Sequence, residues 1–429
     1  MLSRNQIIII AAIGFVVLFF VLIFLGIIPG LGLKKQGGGG GGGGQQLLQL
    51  NFWGVEDENA FKPIIDNYEK NGVKVNYIRF SEDNYEKNLI DALASGKGPD
   101  ILAFHNTWLP KHSGKIVPVS TASFSMVQLK NLFPQVVEKD FAADGRIYAL
   151  PLYIDTLAFI YNRDFFDSRG VAVVPKSWAE FQNVIPALRE NDALGRISKA
   201  AAAIGGSGKS VDKAGDLLSL IMLQFGVEMN VENSFDADFY RDKKSISALD
   251  FYLQFSDSGS QSYSWSDSLR YSLDNFSGGG TAAIFNYASA IPLIKAKNPF
   301  LNLEVAPMLQ FSKDSVNYAD YWGMAVSSQS KQQAAAWNFI ISTAANSAVA
   351  EQYLQASKRP PALRPLIQKY FNDPDLGVFA SQTLTAKSWK QKDNAAVRKI
   401  FSNMIESILN GGIGADRALQ QAENEMNGL

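Results

Sequence analysis

The stretch GGSGKS, residues 205–210, ends in the Gly-Lys-Ser of a phosphate-binding loop. Its spacing rules that chemistry out. Such a loop needs a glycine five positions before its second glycine, where this chain has Ala203, and SKAAAAI ahead of it makes a poor buried strand. A loop of glycines and hydroxyls that leads into the helical run VDKAGDLLSLIMLQFG can still reach a ligand through its backbone N–H groups. The two histidines, His105 and His112, stand seven apart with no acidic residue at ligand spacing, so neither a metal nor another cofactor is expected. No G-x-S-x-G elbow accompanies them for Ser-His-Asp catalysis. Two distant carboxylates could serve glycoside hydrolysis without leaving a local signature, and the sequence gives no positive sign of it.

Aromatic residues make up 12% of the chain, and Trp53, Phe104, Trp108, Tyr153, Tyr287 and Trp322 sit where strands end. A single aromatic is by default a core residue. Here polar partners adjoin them, in FWGVEDE, FHNTW, LYIDT, FNYAS and DYWGM. Flat apolar faces beside a few oriented hydrogen-bonding groups suit a cleft for a neutral polar molecule such as a sugar. SWAE (177–180) instead matches a capping box, which makes Trp178 structural.

The elements that must position these residues start with LLQLNFW as a strand and DENAFKPIIDNYEKNG as a helix. VKVNYIRF is a second strand, DNYEKNLIDALASG a helix opened by Asp83 and Glu86 as a capping box, and PDILAF a buried strand. This β-α-β-α-β alternation predicts a parallel sheet covered by helices, with ligands outside the carboxyl ends of its strands. IYALPLYIDTLAFIYN (147–162) is extended and apolar enough to run between two lobes. Helices are expected from Trp178, Val211, Ser245 and Ser266, and strands at TAAIFN, LEVAPM and WGMAVS. Helical stretches near Lys331, Asn394 and Ala415 finish the chain.

Lys plus Arg total 40 against 41 acidic residues, so no dominant field favours nucleic acid as a partner. Cysteine is absent, which excludes disulfides, thiolate metal sites and a lipid-modified N-terminal Cys. Residues 7–28, IIIIAAIGFVVLFFVLIFLGII, carry no charge. As a helix at 1.5 Å per residue they would span the roughly 30 Å hydrocarbon layer of a bilayer. A cleaved signal peptide would have a shorter apolar core, about 7–15 residues, and a small-residue cleavage site. Residues 1–33 are therefore expected to be an uncleaved transmembrane anchor. Arg4 against Lys34 and Lys35 leaves its orientation open. Residues 34–46, KKQGGGGGGGGQQ, are a flexible linker with a root-mean-square span of about 20 Å.

GKGPDILAFHNTW, GRIYALPLYIDTLAFIYNRDFF and VPKSWAEF, followed by FSGGGTAAIFNY, YWGMAVSSQSKQQAAAWNFI and VRKIFSNMIESILNGGIGADRALQQAENEM, resemble stretches of a known family. It is that of the extracellular solute-binding proteins of ABC transporters, in the sugar-binding, maltose-binding-like group. The resemblance covers nearly all of residues 47–429. It implies an α/β fold of two lobes, the periplasmic-binding-protein arrangement, with a hinge and an interlobe cleft behind the N-terminal transmembrane helix. One lobe would hold 47 to about 153 and about 304 to 357, the other 154–303 and 358–429. RPPALRP (359–365) would be a stiff late crossing.

The same resemblance places Asp155 where the family often has an acidic side chain bonding sugar hydroxyls; the alternative is that Asp155 ties down the hinge. Glu56, His105, Asn106 and Trp108 would line the rim, and the loop with Ser207 would face the ligand from the second lobe. Trp53, Tyr153, Tyr287 and Trp322 complete the expected site with their aromatic faces. One departure concerns the stacking Trp that many members carry after TAAIFN. The corresponding place is close to Ser289, which opens the way to a smaller sugar or a non-sugar solute. The function implied is capture of a solute, expected to be a sugar, on the extracytoplasmic side of a cell membrane and delivery to ABC permease subunits, with no catalysis. A receptor domain feeding a signalling partner and an anchored carbohydrate-active enzyme are the alternatives.

Overall fold

The computed structural model describes residues 48–70, 72–232 and 234–429. The expected membrane span (7–28) and glycine linker (34–46) lie outside the described residues. Among the described residues no helix is long and apolar enough to cross a membrane.

Strand β1 (Leu48–Gly54) buries Leu50, Phe52 and Gly54, the period-two pattern of a strand packed on one face. Helix α1 (Glu58–Lys70) lays Ala60, Phe61 and Ile64 into the core. Its Glu58 and Lys70 sit at the ends that the helix dipole favours. Strand β2 (Val73–Arg79) returns parallel to β1, in register from Leu48↔Val73 to Gly54↔Arg79. Helix α2 (Glu82–Ala94) follows without the expected capping box: it opens after Ser81, and Glu86 turns to His112 at 2.8 Å. Strand β3 (Ile101–His105), parallel to β1, is buried along its whole length, as a central strand covered on both faces must be.

The extended run at 147–162 is cut into short pieces because, after Ile147 pairs with Ala142, it serves three further sheets in turn. Leu150–Pro151 pairs within the first sheet, Asp155–Thr156 within a small hinge sheet, and β4 (Ala158–Asn162) within a second large sheet. That second sheet also holds β5 (Ile197–Ala203), β6 (Thr281–Asn286) and β7 (Leu303–Ala306), in the order β5-β6-β4-β7. Helix α3 (Ala214–Gln224) lies between β5 and β6 in the chain, and α4 (Ala290–Lys297) between β6 and β7. Helix α3 begins three residues later than expected, after Lys213 in the left-handed conformation.

Residue 304 is not a lobe boundary. β7 pairs with β4, so LEVA stays in the second lobe, and the chain returns through β8 (Asn317–Asp320), antiparallel to Asp155–Thr156. Strand β9 (Trp322–Ser327) then completes the first sheet beside β3, antiparallel to it. Helix α5 (Ser347–Ser357) packs on α1. The expected switch at residue 358 also moves. Ile154 N–H donates to the Pro360 carbonyl at 3.2 Å, Ala362 N–H to that of Leu152 at 3.2 Å, and Ala362, Leu363 and Leu366 join the first core. The chain enters the second lobe afterwards, where Leu376 and Phe379 are buried, and closes with α6 (Asn394–Leu409) and a last helix, Ala415–Asn427.

Candidate binding cleft

The three passages between the lobes are fixed by charge as well as by backbone pairing. Asp155 is 1% exposed, and four donors meet its carboxylate. These are the N–H groups of Thr156 (3.0 Å), Ala288 (2.9 Å) and Ser289 (3.1 Å), and Nη1 of Arg359 (3.1 Å). Nη2 of the same arginine reaches Glu56 Oε1 at 3.0 Å, and Tyr153 Oη donates to that oxygen at 2.7 Å. The guanidinium also lies over the Tyr153 ring, 4.9 Å from its centroid. Burial pushes the Asp155 carboxyl up, and Arg359 and the three N–H groups oppose it. A carboxylate with this many donors has no site left for a sugar hydroxyl. Asp155 is therefore a hinge tie, joining the first passage to the third and to the start of α4.

A second clamp centres on Asp320 at the end of β8. Its Oδ1 meets His105 Nε2 at 2.6 Å and its Oδ2 accepts from Arg398 Nη2 at 2.8 Å. Arg398 Nε also donates to Asp216 of α3 at 2.9 Å, and Tyr287 Oη donates to the other Asp216 oxygen at 3.0 Å. Burial works against ionisation of Asp320, yet Arg398 and His105 hold its carboxyl well below the usual range. His105, expected on the rim, is thus a buried hinge residue.

Between these clamps lies a cavity of about 650 Å³, within the roughly 300–1,000 Å³ usual for small-molecule sites. Its first-lobe wall is Glu56, Phe80, Tyr153 and Trp322, and Asp212, Lys213, Asn286, Tyr287 and Ser289 face them from the second lobe. Lys213 Nζ sits 5.6 Å from the Tyr287 ring centroid. Asp212 accepts from Tyr271 Oη at 2.9 Å and Asn286 Nδ2 at 3.0 Å, which orients it without neutralising it. Trp322 is half-buried and turns one part of its ring to the cavity. The result is aromatic surface beside oriented carboxylates, an amide and the ammonium groups of Lys213 and Lys358.

Of the ten expected site residues, the cavity brings together Glu56, Tyr153, Asp155, Tyr287 and Trp322. Trp53 stands behind Phe80, ring centroids 4.7 Å apart. Asn106 is buried and donates to Asp140 at 3.1 Å, away from the cavity. Trp108 is 4% exposed, stacked on Tyr85, and its Nε1 donates to Asn394 at 3.3 Å. Ser207 is fully buried because the GGSGKS loop closes on Asp267: Ser207 N–H donates at 3.0 Å, Ser207 Oγ at 2.7 Å, and Ser210 Oγ donates too. The cavity instead takes Asp212 and Lys213, just beyond that loop. Arg359, Asp320 and Phe80 were also missed; only Arg359 carried a signal, a lone cation opening the proline-rich crossing.

The fold and cleft define a two-lobed solute-binding architecture. A model of the bacterial extracellular solute-binding protein family matches residues 54–348, and the chain belongs to that family. Solved structures of similar fold include an ABC transporter solute-binding protein from Thermotoga lettingae bound with α-D-tagatose. It is 19% identical with TM-score 0.71, over 89% of this chain and 99% of that one. The sugar-binding protein MalE from Xanthomonas citri is 20% identical with TM-score 0.73, over 89% and 96%. An ABC substrate-binding protein from Listeria monocytogenes in complex with cycloalternan is 18% identical with TM-score 0.71, over 89% and 98%.

Proposed function

We propose that this chain is a membrane-tethered, extracytoplasmic solute-binding protein that captures a sugar or oligosaccharide in the interlobe cleft and delivers it to an ABC permease. The observation that carries this reading is the cavity itself, where Trp322 and Phe80 stand opposite Asp212, Asn286 and Lys213. Sugars present apolar C–H faces and a belt of hydroxyls, and this lining offers a partner for each. The sugars named with the Thermotoga and Listeria proteins support the same class of ligand. Residues 1–33 would anchor the protein and 34–46 would let the lobes reach a membrane partner.

Contacts from both lobes to one solute favour the closed arrangement, and the three passages form the hinge on which the lobes turn. Asp320, held ionised by Arg398, is suited to accept hydroxyl protons in hydrogen bonds rather than to act as a general acid. The activity proposed is binding without turnover. Titrating the full chain with neutral mono- and oligosaccharides while following tryptophan emission should give a saturable change that Trp322→Phe removes. A titration with no change, or one in which the sugar is converted to product, would overturn the proposal.

A further inference from the structure

On the side of Trp322 the cleft ends where the lobes meet. Trp108, whose ring centroid lies 5.0 Å from that of Trp322, bonds Asn394 across the gap, and Lys111 Nζ pairs with Asp393 at 2.6 Å. A solute too long for the cavity has no room there. In the opposite direction Pro292 and Lys358 line both the cleft and a second cavity of about 730 Å³, so the two adjoin. This second chamber lies between α5 of the first lobe and α4 with residues 369–376. Leu354, Ile291 and Leu376 are buried around it, and the half-buried Tyr370 ring forms part of its wall. Ion pairs Lys295–Asp375 and Lys369–Glu351 supply donors and acceptors on its rim. At the junction, Lys358 is exposed, held in the left-handed conformation at the end of α5, and its ammonium makes no hydrogen bond among the described residues.

We propose that the second chamber is a subsite for the outer rings of a linear oligosaccharide whose inner rings fill the cleft, with Lys358 and Pro292 at the passage between them. This inference rests on the sugar reading and narrows it to an extended solute. It is the chain's own geometry, one end shut and the other adjoining a cavity of similar size, that selects length.

The test is calorimetric titration of the full chain with linear α-1,4-gluco- and β-1,4-manno-oligosaccharides of two to six rings. The longer members of the series that binds should bind about tenfold more tightly than its two-ring member. Tyr370→Ala, and Gln355→Trp, which fills the chamber from exposed α5, should each abolish that advantage and leave two-ring affinity unchanged. Affinity independent of length, or an advantage that survives both substitutions, overturns the second chamber alone. No binding by any member overturns the sugar reading beneath it as well.

Discussion

Arg359→Met is the substitution that most sharply probes the hinge. It keeps an unbranched stem and removes a cation that sits 3.0 Å from Glu56 and 3.1 Å from Asp155, with the three side chains 20%, 14% and 2% exposed. At an effective dielectric of about 20, unit charges about 4 Å apart attract by about 4 kcal/mol. Desolvation of the partners offsets part of two such terms, and removing one member of a buried pair typically costs roughly 3–5 kcal/mol. A loss of that size is expected in urea unfolding at pH 7.5, followed by circular dichroism. The pH dependence supplies the sign. Asp155 is already pushed up by burial, and Arg359 is the largest influence opposing that push. With the cation gone, its folded-state pKa climbs further above the unfolded value of about 3.9, so the folded form holds more protons across that window. Stability of the variant therefore falls as pH rises through the window, and its deficit against the parent should be smaller at pH 5 than at pH 7.5. A loss under about 1 kcal/mol, or one equal at both pH values, would refute the hinge-clamp reasoning.

Asp140 is buried among Asn106, Tyr321 and Ser388, and burial pushes its carboxyl up to about 6. The stability it contributes is present in acid and lost as pH rises through that value; Asp140→Asn should flatten the parent's decline in melting temperature between about pH 4 and pH 7. Ser207→Ala should cost about 1–3 kcal/mol of stability by leaving Asp267 short of a donor, with sugar affinity unchanged in calorimetry. Lys213→Ala should do the opposite, lowering affinity by about tenfold and stability by less than about 0.5 kcal/mol. Gly323→Ala should destabilise by about 1–3 kcal/mol, measured by urea unfolding, because a Cβ there would lie 2.7 Å from the Phe141 ring.

The scaffold was legible where local pattern decides it. Alternation of strands and helices from Leu48 to His105 specified the parallel part of the first sheet, where β1 pairs with both β2 and β3. The lobe boundaries were less so, because LEVA reads as a strand without saying which sheet it joins; its partner β4 lies far back in the chain. The site was legible as a set of aromatic and polar residues at strand ends, and half of that set faces the cavity. What decides the other half is pairing at long range. Arg359 is 204 residues from Asp155 and 303 from Glu56, and nothing local in LYIDT announces that the Asp155 carboxylate is already taken. Ser207 failed for the same reason: the hydroxyls and N–H groups that looked free to a ligand are used by Asp267, 60 residues on.

The most direct measurement is the thermal unfolding of the full chain against a panel of neutral sugars, amino acids and dipeptides. A solute that binds the folded lobes at about 100 times its Kd stabilises them by about 2.7 kcal/mol. At least one neutral sugar is expected to raise the midpoint, with the rise lost in Trp322→Phe. A midpoint moved only by amino acids or peptides, or unmoved by every sugar, would contradict sugar capture in the interlobe cleft.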